Sequence, residues 1–501
     1  MEVAGGDAGR GSALGASGPA LTRREVLQKA ARLGVAASTL GALELLASTP
    51  RRAGAATLST LPEVQYDIAR YTPHAITVEG VKVRFGPLYT TFATIALQRT
   101  PTLADQAALS QALATVESTY AFSPAGVFAT IAYGVPYFER LPGGLAGALV
   151  APKLPRLLSE PERSAFEEAQ PGPTDVSPEN PGVSKERFTV PVEIEANDMV
   201  LMLRSDSSAV IDDVLAWVLG ESTTLGGATV GSSGLAGLMA VSSRRLVFNQ
   251  RGLPRKVAEE QGLPYAESIN PQSPMWMSFV DQQVNSSGPA PVTTFVGSKS
   301  ARLTNARAGN YFDHGSVMHL SHVIEDLEQF YARPKETYTR RIAYMFRADP
   351  VPRPGNVDQY TNGGGPAFIE NAYRTPQAAA LEAADTNSFD GEHHISHTTA
   401  LQRSSRAFDH TAIHIRADGP GFDALDVPDG SSQPKLHFAI FVPTAAFFAT
   451  MRRNQASLDL AQENDVPPEN LGLERFITTT RRQNFLVPPR RHRAFPLLEL
   501  A

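Results

Sequence analysis

The sequence predicts an α+β protein made of two halves, each a sheet with helices packed on one face. Its 501 residues, 42% of them hydrophobic, are enough for two or three domains with buried cores. Segments with strand-like and helix-like apolar spacing alternate in both halves, which is typical of packed strand–helix–strand units. Beyond the N-terminal segment there is no run of about 18 apolar residues, so the sequence predicts no permanent membrane span.

The N-terminal half contains two predicted strand–helix units. Thr, Ile and aromatic residues favour strands, and apolar residues three and four positions apart favour the helices between them. The predicted elements are, in chain order, a strand at 91–98, a helix at 103–120, strands at 125–135 and 198–204, and a helix at 209–219. Residues 159–186 are crowded with Pro, Glu and Ser and are predicted to form a surface loop.

The C-terminal half repeats this pattern after a predicted linker at 250–271. A strand running into a turn or short helix is predicted at 317–331, a buried strand at 436–442 and a helix at 444–454. The long polar stretch at 349–390 is predicted to be an insertion or a functional loop. Trp276 could relay electrons, but core packing is the better interpretation for a side chain of this size.

The N-terminus resembles an export signal. Residues 22–29 include the consecutive Arg23 and Arg24, a weakly apolar stretch interrupted by charges follows at 30–48, and small residues at 53–55 suit cleavage. We therefore expect the twin-arginine translocase to carry the folded chain to the periplasm, the cell surface or the outside. An ordinary amphipathic helix is the alternative.

Charge and composition exclude several classes of function. The formal net charge of −6 argues against a nucleic-acid partner, because binding to phosphates needs a clustered excess of Lys and Arg. There is no Cys, which excludes disulfides, iron–sulfur clusters, thiolate-ligated haem, Cys-ligated zinc and Cys nucleophiles.

The histidines are concentrated in the C-terminal half, where ten of the eleven lie. Imidazole binds iron, copper or zinc through one ring nitrogen, so His clusters in a chain without Cys indicate a metal site. Surface or hydrogen-bonded structural histidines are the alternative, and clustering alone does not select the metal. The two clusters are His314, His319 and His322, and then His393, His394 and His397.

The order of motifs in the C-terminal half resembles that of the dye-decolourising (DyP-type) peroxidases, which are haem enzymes. Their Gly-x-x-Asp-Gly motif matches residues 278–282, which read Ser-Phe-Val-Asp-Gln; their proximal His matches His397, and their distal Arg matches Arg416, 19 residues further on. The strand at 436–442 and the segment at 480–489 resemble the elements that follow. Both motif glycines are replaced, so the turn could adopt another backbone conformation.

The resemblance implies a fold and a site. The fold would be α+β, with two ferredoxin-like domains forming a dimeric α+β barrel of antiparallel sheets. His397 would be the axial ligand of a haem b iron, Asp281 a catalytic proton shuttle and Arg416 a catalytic cation that also contacts the haem. His322 would line the haem where the family usually has an Arg.

The resemblance also implies a domain organisation and partners. A signal peptide at 1–55 and a linker at 56–84 would precede ferredoxin-like domains at 85–250 and 251–495, the second binding haem and carrying the insertion at 349–390. The substrates would be hydrogen peroxide and a small phenolic or dye-like reductant, and a homo-oligomer is compatible with the resemblance. The alternatives are a haem-binding relative without peroxidase activity, and a non-haem metalloprotein using His393, His394 and His397.

Overall fold

A computed structural model describes the part of the chain that carries both halves. The described residues are 61–72, 76–78, 81–83, 86–271, 273–278, 289–298, 301–331, 413–463, 465–467 and 473–501. The predicted signal peptide, Asp281, the insertion at 349–390 and His397 lie outside these residues.

The N-terminal half begins with a short hairpin and continues as two strand–helix–strand passes. The hairpin is β1 (Ile76–Val78) with β2 (Val81–Val83). The first pass is β3 (Tyr89–Leu97), α1 (Leu103–Thr119), β4 (Phe128–Tyr133) and α2 (Val135–Glu139). The second is β5 (Glu193–Ile194), β6 (Met199–Ser205), α3 (Ser208–Val218), the hairpin β7 (Thr224–Leu225) and β8 (Ala228–Thr229), and β9 (Met239–Phe248).

Local sequence explains where these helices begin. Thr102 accepts a hydrogen bond from the Asp105 backbone N–H, and the Asp105 carboxylate accepts one from the Thr102 backbone N–H. This reciprocal pair satisfies two of the donors that a helix N-terminus leaves open. Ser207 caps α3 in the simpler way, by accepting from the Val210 N–H.

The C-terminal half is built in the same way. After α4 (Leu253–Glu260) come β10 (Ser316–Glu325), α5 (Leu327–Tyr331), β11 (Ile415–Arg416), β12 (Gly419–Asp423), β13 (Gln433–Val442), α6 (Ala445–Ala456), α7 (Leu458–Glu463) and β14 (Ile477–Val487). The predicted linker at 250–271 is therefore wrong in part, because it contains α4. This helix starts after Gly252, whose φ of 77° is a left-handed conformation that glycine adopts without strain.

Ten strands form one sheet, and each half contributes the same strand order. In the first half the order is β4-β6-β3-β9, and in the second β11-β13-β10-β14, with β12 also paired to β13. When the four strands of each order are numbered as they occur along the chain, both halves have the order 2-3-1-4. Neighbouring strands within each half are antiparallel. This is the ferredoxin-like arrangement, and it confirms the predicted α+β class.

The two halves meet at two places, once in the middle of the strand order and once where the edges of the sheet approach each other. At one junction β14 pairs with β4 through Leu486 and Tyr133. At the other, β12 lies against β9 so closely that a Cβ at Gly421 would be 3.0 Å from the Leu246 carbonyl oxygen. The sheet therefore curves around until its two edges are in contact.

This curvature creates two separate cores, one inside the sheet and one between the sheet and the helices. Side chains alternate between the two faces of each strand, so neighbours in sequence supply different cores. The inner core includes Phe92, Met202, Val247, Leu320, Phe441 and Phe485. The outer core packs α1, α3 and α6 against the sheet through Leu109, Val116, Ile211, Val214 and Phe448.

Several further predictions from the sequence are confirmed. The predicted helices and strands of both halves are present within a few residues of their expected ends. Trp276 is a core residue, fully buried, with its indole N–H donating to the Gly421 carbonyl at 3.0 Å. Among the described residues, no helix is long and apolar enough to cross a membrane.

Candidate functional site

The structure places His322 and Arg416 on opposite faces of the sheet. Arg416 pairs with Ile440 on β13, and Ile440 pairs with His319 on β10, so these three side chains share the face covered by helices. His322 is three residues from His319 on a regular part of the same strand, and an odd spacing puts it on the inner face. The sheet therefore separates His322 from Arg416, whereas the prediction from the resemblance places both beside one haem.

On the inner face, His322 belongs to a buried cluster with His437 and Asp423. His437 lies directly opposite His322 on β13, and the two rings are 4.9 Å apart and within 10° of parallel. Asp423, at the end of β12, reaches both rings: its carboxylate oxygens lie 3.6 Å from His322 Nε2 and 3.3 Å from His437 Nε2. Both histidines are fully buried, whereas the Asp423 side chain is partly exposed.

The contacts of His322 Nδ1 decide which ring nitrogen carries the proton. This atom lies 3.2 Å from Asp426 Oδ2 and 3.1 Å from Thr480 Oγ1. Asp426 is an acceptor only, and Thr480 already donates its hydroxyl proton to Asp426 at 2.9 Å. Nδ1 therefore carries a proton, and Nε2 is the ring nitrogen that faces Asp423.

Asp426 is itself fixed by a bidentate contact. Arg481 donates from Nε to Asp426 Oδ2 at 2.7 Å and from a terminal nitrogen to Oδ1 at 2.8 Å. Burial by itself would raise the pKa of Asp426, but hydrogen bonds from His322 and Arg481 outweigh it and hold that pKa well below its usual range. Asp426 is thus a rigid, ionised acceptor for His322.

The other titratable groups of the cluster are also shifted. Burial would raise the pKa of Asp423, but its contacts with His322 and His437 lower it far below the ordinary value. Burial lowers the pKa of His437 to about 4 and that of Lys435, 3.8 Å from Asp423, to about 8. At neutral pH His437 is therefore uncharged beside an ionised carboxylate.

On the outer face, a cavity of about 680 Å³ lies between the sheet and α6. His319 and Asn484 form its sheet wall, Phe447 and Phe448 belong to α6, and residues 157–160 and 167–173 close another side. This volume lies within the range of about 300–1,000 Å³ typical of small-molecule sites.

His319 cannot bind a metal in this arrangement, because both of its ring nitrogens are engaged. Nδ1 lies 2.7 Å from Asn484 Oδ1, and Nε2 lies 2.6 Å from Ser321 Oγ and 3.4 Å from an Arg482 nitrogen. Burial, and secondly the Arg482 charge, lower the pKa of His319 well below its usual value. His319 is a neutral structural residue of the cavity wall.

The predicted haem residues are only partly covered by the described chain. Arg416 lies on the outer face at the edge of the sheet, a quarter exposed, with its Nε 3.9 Å from Asp418. Asp281 and His397 lie outside the described residues, so the structure does not show whether they approach Arg416.

The first position of the altered Gly-x-x-Asp-Gly motif keeps a glycine-like backbone although it is a serine. Ser278 has a φ of 66°, in the left-handed region that non-glycine residues rarely adopt. Its hydroxyl accepts a hydrogen bond from the Asn270 N–H at 2.8 Å and pairs with the Tyr331 hydroxyl at 2.7 Å. These contacts hold the conformation that the replaced glycine would have adopted freely.

Comparison with known proteins assigns the chain to a family without an assigned activity. The chain belongs to a family of unknown function, DUF7405, whose model matches residues 87–172 and 166–489. No curated protein matches it closely enough to count as a relative.

Solved structures similar to the chain include several DyP-type peroxidases. The encapsulated DyP-type peroxidase from Mycobacterium smegmatis is 12% identical with a TM-score of 0.44, the match covering 85% of this chain and 98% of that one. A dye-decolorizing protein from V. cholerae is 11% identical with a TM-score of 0.45, covering 86% and 98%. A variant of DypB from Rhodococcus jostii RHA1 in complex with haem is 11% identical with a TM-score of 0.46, covering 85% and 97%.

Sequence reasoning missed two members of the inner cluster. His437 was part of a predicted strand, and Asp423 had no recognised role. Alternation along the strand at 436–442 does place His437 on one face of the sheet and Phe438 and Ile440 on the other. Its pairing with His322 depends on strand register, which alternation alone does not specify.

Proposed function

We propose that the chain is a haem-dependent peroxidase of DyP type, exported by the twin-arginine pathway, which reduces hydrogen peroxide and oxidises a small phenolic or dye-like compound. The observation that supports this most is the position of Arg416. It lies on the helix-covered face of the sheet, the same face that borders the cavity of about 680 Å³, and directly follows the segment that carries His397.

The proposed haem site lies on this outer face. Arg416 supplies a permanent positive charge there, both ring nitrogens of His319 are engaged, and the resemblance implies that His397 would bind the iron. On the inner face His322 is enclosed by Asp423, Asp426 and Thr480 and leaves no place for a flat macrocycle.

Bound haem would supply the redox chemistry by which peroxide is reduced and the organic compound is oxidised. The residues of the chain would manage charge and protons around it. Arg416 would stabilise negative charge that develops on the peroxide, because its guanidinium stays protonated near neutral pH. Asp281 would take a proton from one peroxide oxygen and return it to the other.

Haem content tests the ligand assignment. The full chain, expressed with haem supplied, should show a Soret band that His397→Ala loses without loss of fold. His322→Asn should keep the band because His322 lies on the other face, and His314→Ala, which alters a half-exposed His, serves as the matched control. Retention of an unchanged spectrum by His397→Ala would overturn the assignment.

Turnover separates an active enzyme from a haem-binding relative that lacks activity. Arg416→Leu should keep haem but slow the reaction with peroxide by on the order of 10²-fold, as expected for removal of one charge-stabilising donor. Asp281→Asn should be slowed as well, with loss of the dependence on pH that a proton shuttle confers. A wild-type protein that binds haem yet oxidises no dye with peroxide would support the inactive alternative.

A further inference from the structure

We propose that His322, His437 and Asp423 form a binding site for a divalent transition-metal cation, of which zinc is the probe, on the inner face of the sheet. The site is separate from the proposed haem site, which is assigned to the opposite face. Its three residues come from three neighbouring strands, β10, β13 and β12.

The spacing of the donor atoms suits a small cation. One ligand atom from each residue can be chosen so that all three lie within 4.8 Å of one another. Asp423 Oδ1 lies 3.6 Å from His322 Nε2, and Asp423 Oδ2 lies 3.3 Å from His437 Nε2. Ligands at about 2.1 Å from zinc lie about 3.0–3.4 Å apart when adjacent in octahedral or tetrahedral geometry. The cluster is therefore slightly expanded relative to a loaded site.

Buried polar atoms in the cluster lack the partners that they need. His322 Nε2 and both ring nitrogens of His437 make no hydrogen bond within the part of the chain that the structure describes, although all are fully buried. A buried polar atom without a hydrogen-bond partner destabilises the folded state. Moreover, Nε2 of both histidines faces the Asp423 carboxylate, so a cation placed there would be within reach of all three side chains.

The surroundings match those of known metal-binding histidines. Such a histidine almost always donates its other ring N–H to a carboxylate, which fixes the tautomer and increases the basicity of the ligating nitrogen. His322 donates to Asp426, and Arg481 in turn orients Asp426. The hydrogen bonds that would orient His322 as a ligand are therefore already present in this structure.

The nearby charges indicate which cations the site prefers. Lys435, 3.8 Å from Asp423, and Arg245, paired with Glu195 at 2.5 Å, add positive charge to the surroundings. With Asp423 as its one carboxylate ligand, the site is poor for Ca²⁺ or Mg²⁺, which prefer several oxygens. Two imidazoles and one carboxylate suit zinc, iron or a neighbouring first-row metal.

Binding requires a small rearrangement of the rings. Two rings within 10° of parallel cannot both direct a lone pair at one point unless they are coplanar, so one ring must turn about its Cβ–Cγ bond. His437 is the ring that can turn, because it has no hydrogen bond to break among the described residues. A bound cation would also join β12 to β10 and β13.

Metal binding by the full chain tests the proposal independently of haem. The protein is prepared without haem, treated with a chelator, dialysed and titrated with Zn²⁺, with metal content and thermal unfolding as readouts. We expect one zinc per chain and an unfolding temperature that rises with zinc concentration, because a ligand that binds the folded state stabilises it.

The variants distinguish this site from adventitious zinc. His437→Leu removes a ligand whose nitrogens make no hydrogen bond to the described residues, so it should fold and lose the zinc. His314→Ala, the matched control on another part of the surface, should bind as the wild type does. Asp426→Asn, which alters a positioning residue, should weaken binding by about 10- to 100-fold while keeping the stoichiometry.

Two results would overturn the proposal. One is a folded wild-type chain that binds no zinc, and the other is equal zinc binding by the wild type and His437→Leu. Neither depends on haem or turnover, so failure here and failure of the proposed peroxidase function can be told apart.

Discussion

The buried ion pair between Asp175 and Arg482 gives the sharpest prediction of stability. It joins the long loop before β5 to β14, with Arg482 donating from Nε to Oδ2 at 2.6 Å and from a terminal nitrogen to Oδ1 at 2.8 Å. Each side chain is only 3% exposed. Asp175 also accepts the Gly172 N–H at 2.6 Å, and Gly172 lines the outer cavity.

Asp175→Asn should lower the free energy of unfolding by about 3–5 kcal/mol at pH 7. This is the usual cost of leaving one partner of a buried pair without its counter-charge. Replacing both residues, Asp175→Asn with Arg482→Met, should recover part of the loss because neither member of the pair then leaves a buried charge without its counter-charge.

Acid should remove part of the same stabilisation from the wild type. Burial alone would raise the pKa of Asp175, but the Arg482 charge and hydrogen bonds outweigh it and lower the pKa to about 2. A carboxyl with a lowered folded-state pKa stabilises the fold above its unfolded-state pKa, near 4, and this contribution is lost as the pH falls toward 2. The contribution lost is about 2 kcal/mol.

Denaturant unfolding between pH 7 and pH 2 measures both effects. Arg163→Met is the control, because Arg163 is 43% exposed in its pair with Glu167, and exposed pairs contribute about 0–1 kcal/mol. If Asp175→Asn cost no more than Arg163→Met, or kept the full pH dependence of the wild type, the buried pair would not contribute as argued.

Two further predictions concern the seam of the sheet and export. Gly421→Ala should destabilise the protein and weaken zinc binding, because the new Cβ would lie against His437 Nε2 and 3.0 Å from the Leu246 carbonyl oxygen. Urea unfolding measures the stability and zinc titration measures the affinity. If the variant had the stability and the zinc affinity of the wild type, this prediction would be refuted. Replacing Arg23 and Arg24 together by Lys should block export, and normal appearance of that variant outside the cytoplasm in a fractionation assay would reject the signal.

The placement of His322 shows what a correct local prediction leaves open. The sequence predicts a strand running into a turn or short helix at 317–331, and the resemblance to DyP-type proteins associates His322 with haem. The structure separates His322 from Arg416 because residues at odd spacings on a strand point to opposite faces.

The sequence by itself determined the fold class and most of its elements. The strands β3, β4, β6, β10 and β13 and the helices α1, α3 and α6 follow from apolar spacing and local capping, which act within a few residues. Helix α4 was missed because Gly252 and Pro254 suggest a linker, although they also suit the start of a helix.

Only the tertiary structure decided how the functional residues are grouped. The register between β10 and β13 places His437 opposite His322, and the end of β12 brings Asp423 to both, although Asp423 is about 100 residues from His322 along the chain. Ser278 likewise keeps a left-handed backbone because Asn270 and Tyr331 hold its hydroxyl. Local sequence preferences act within one segment, whereas these contacts arise from strand pairing and from the curvature that brings the sheet edges together.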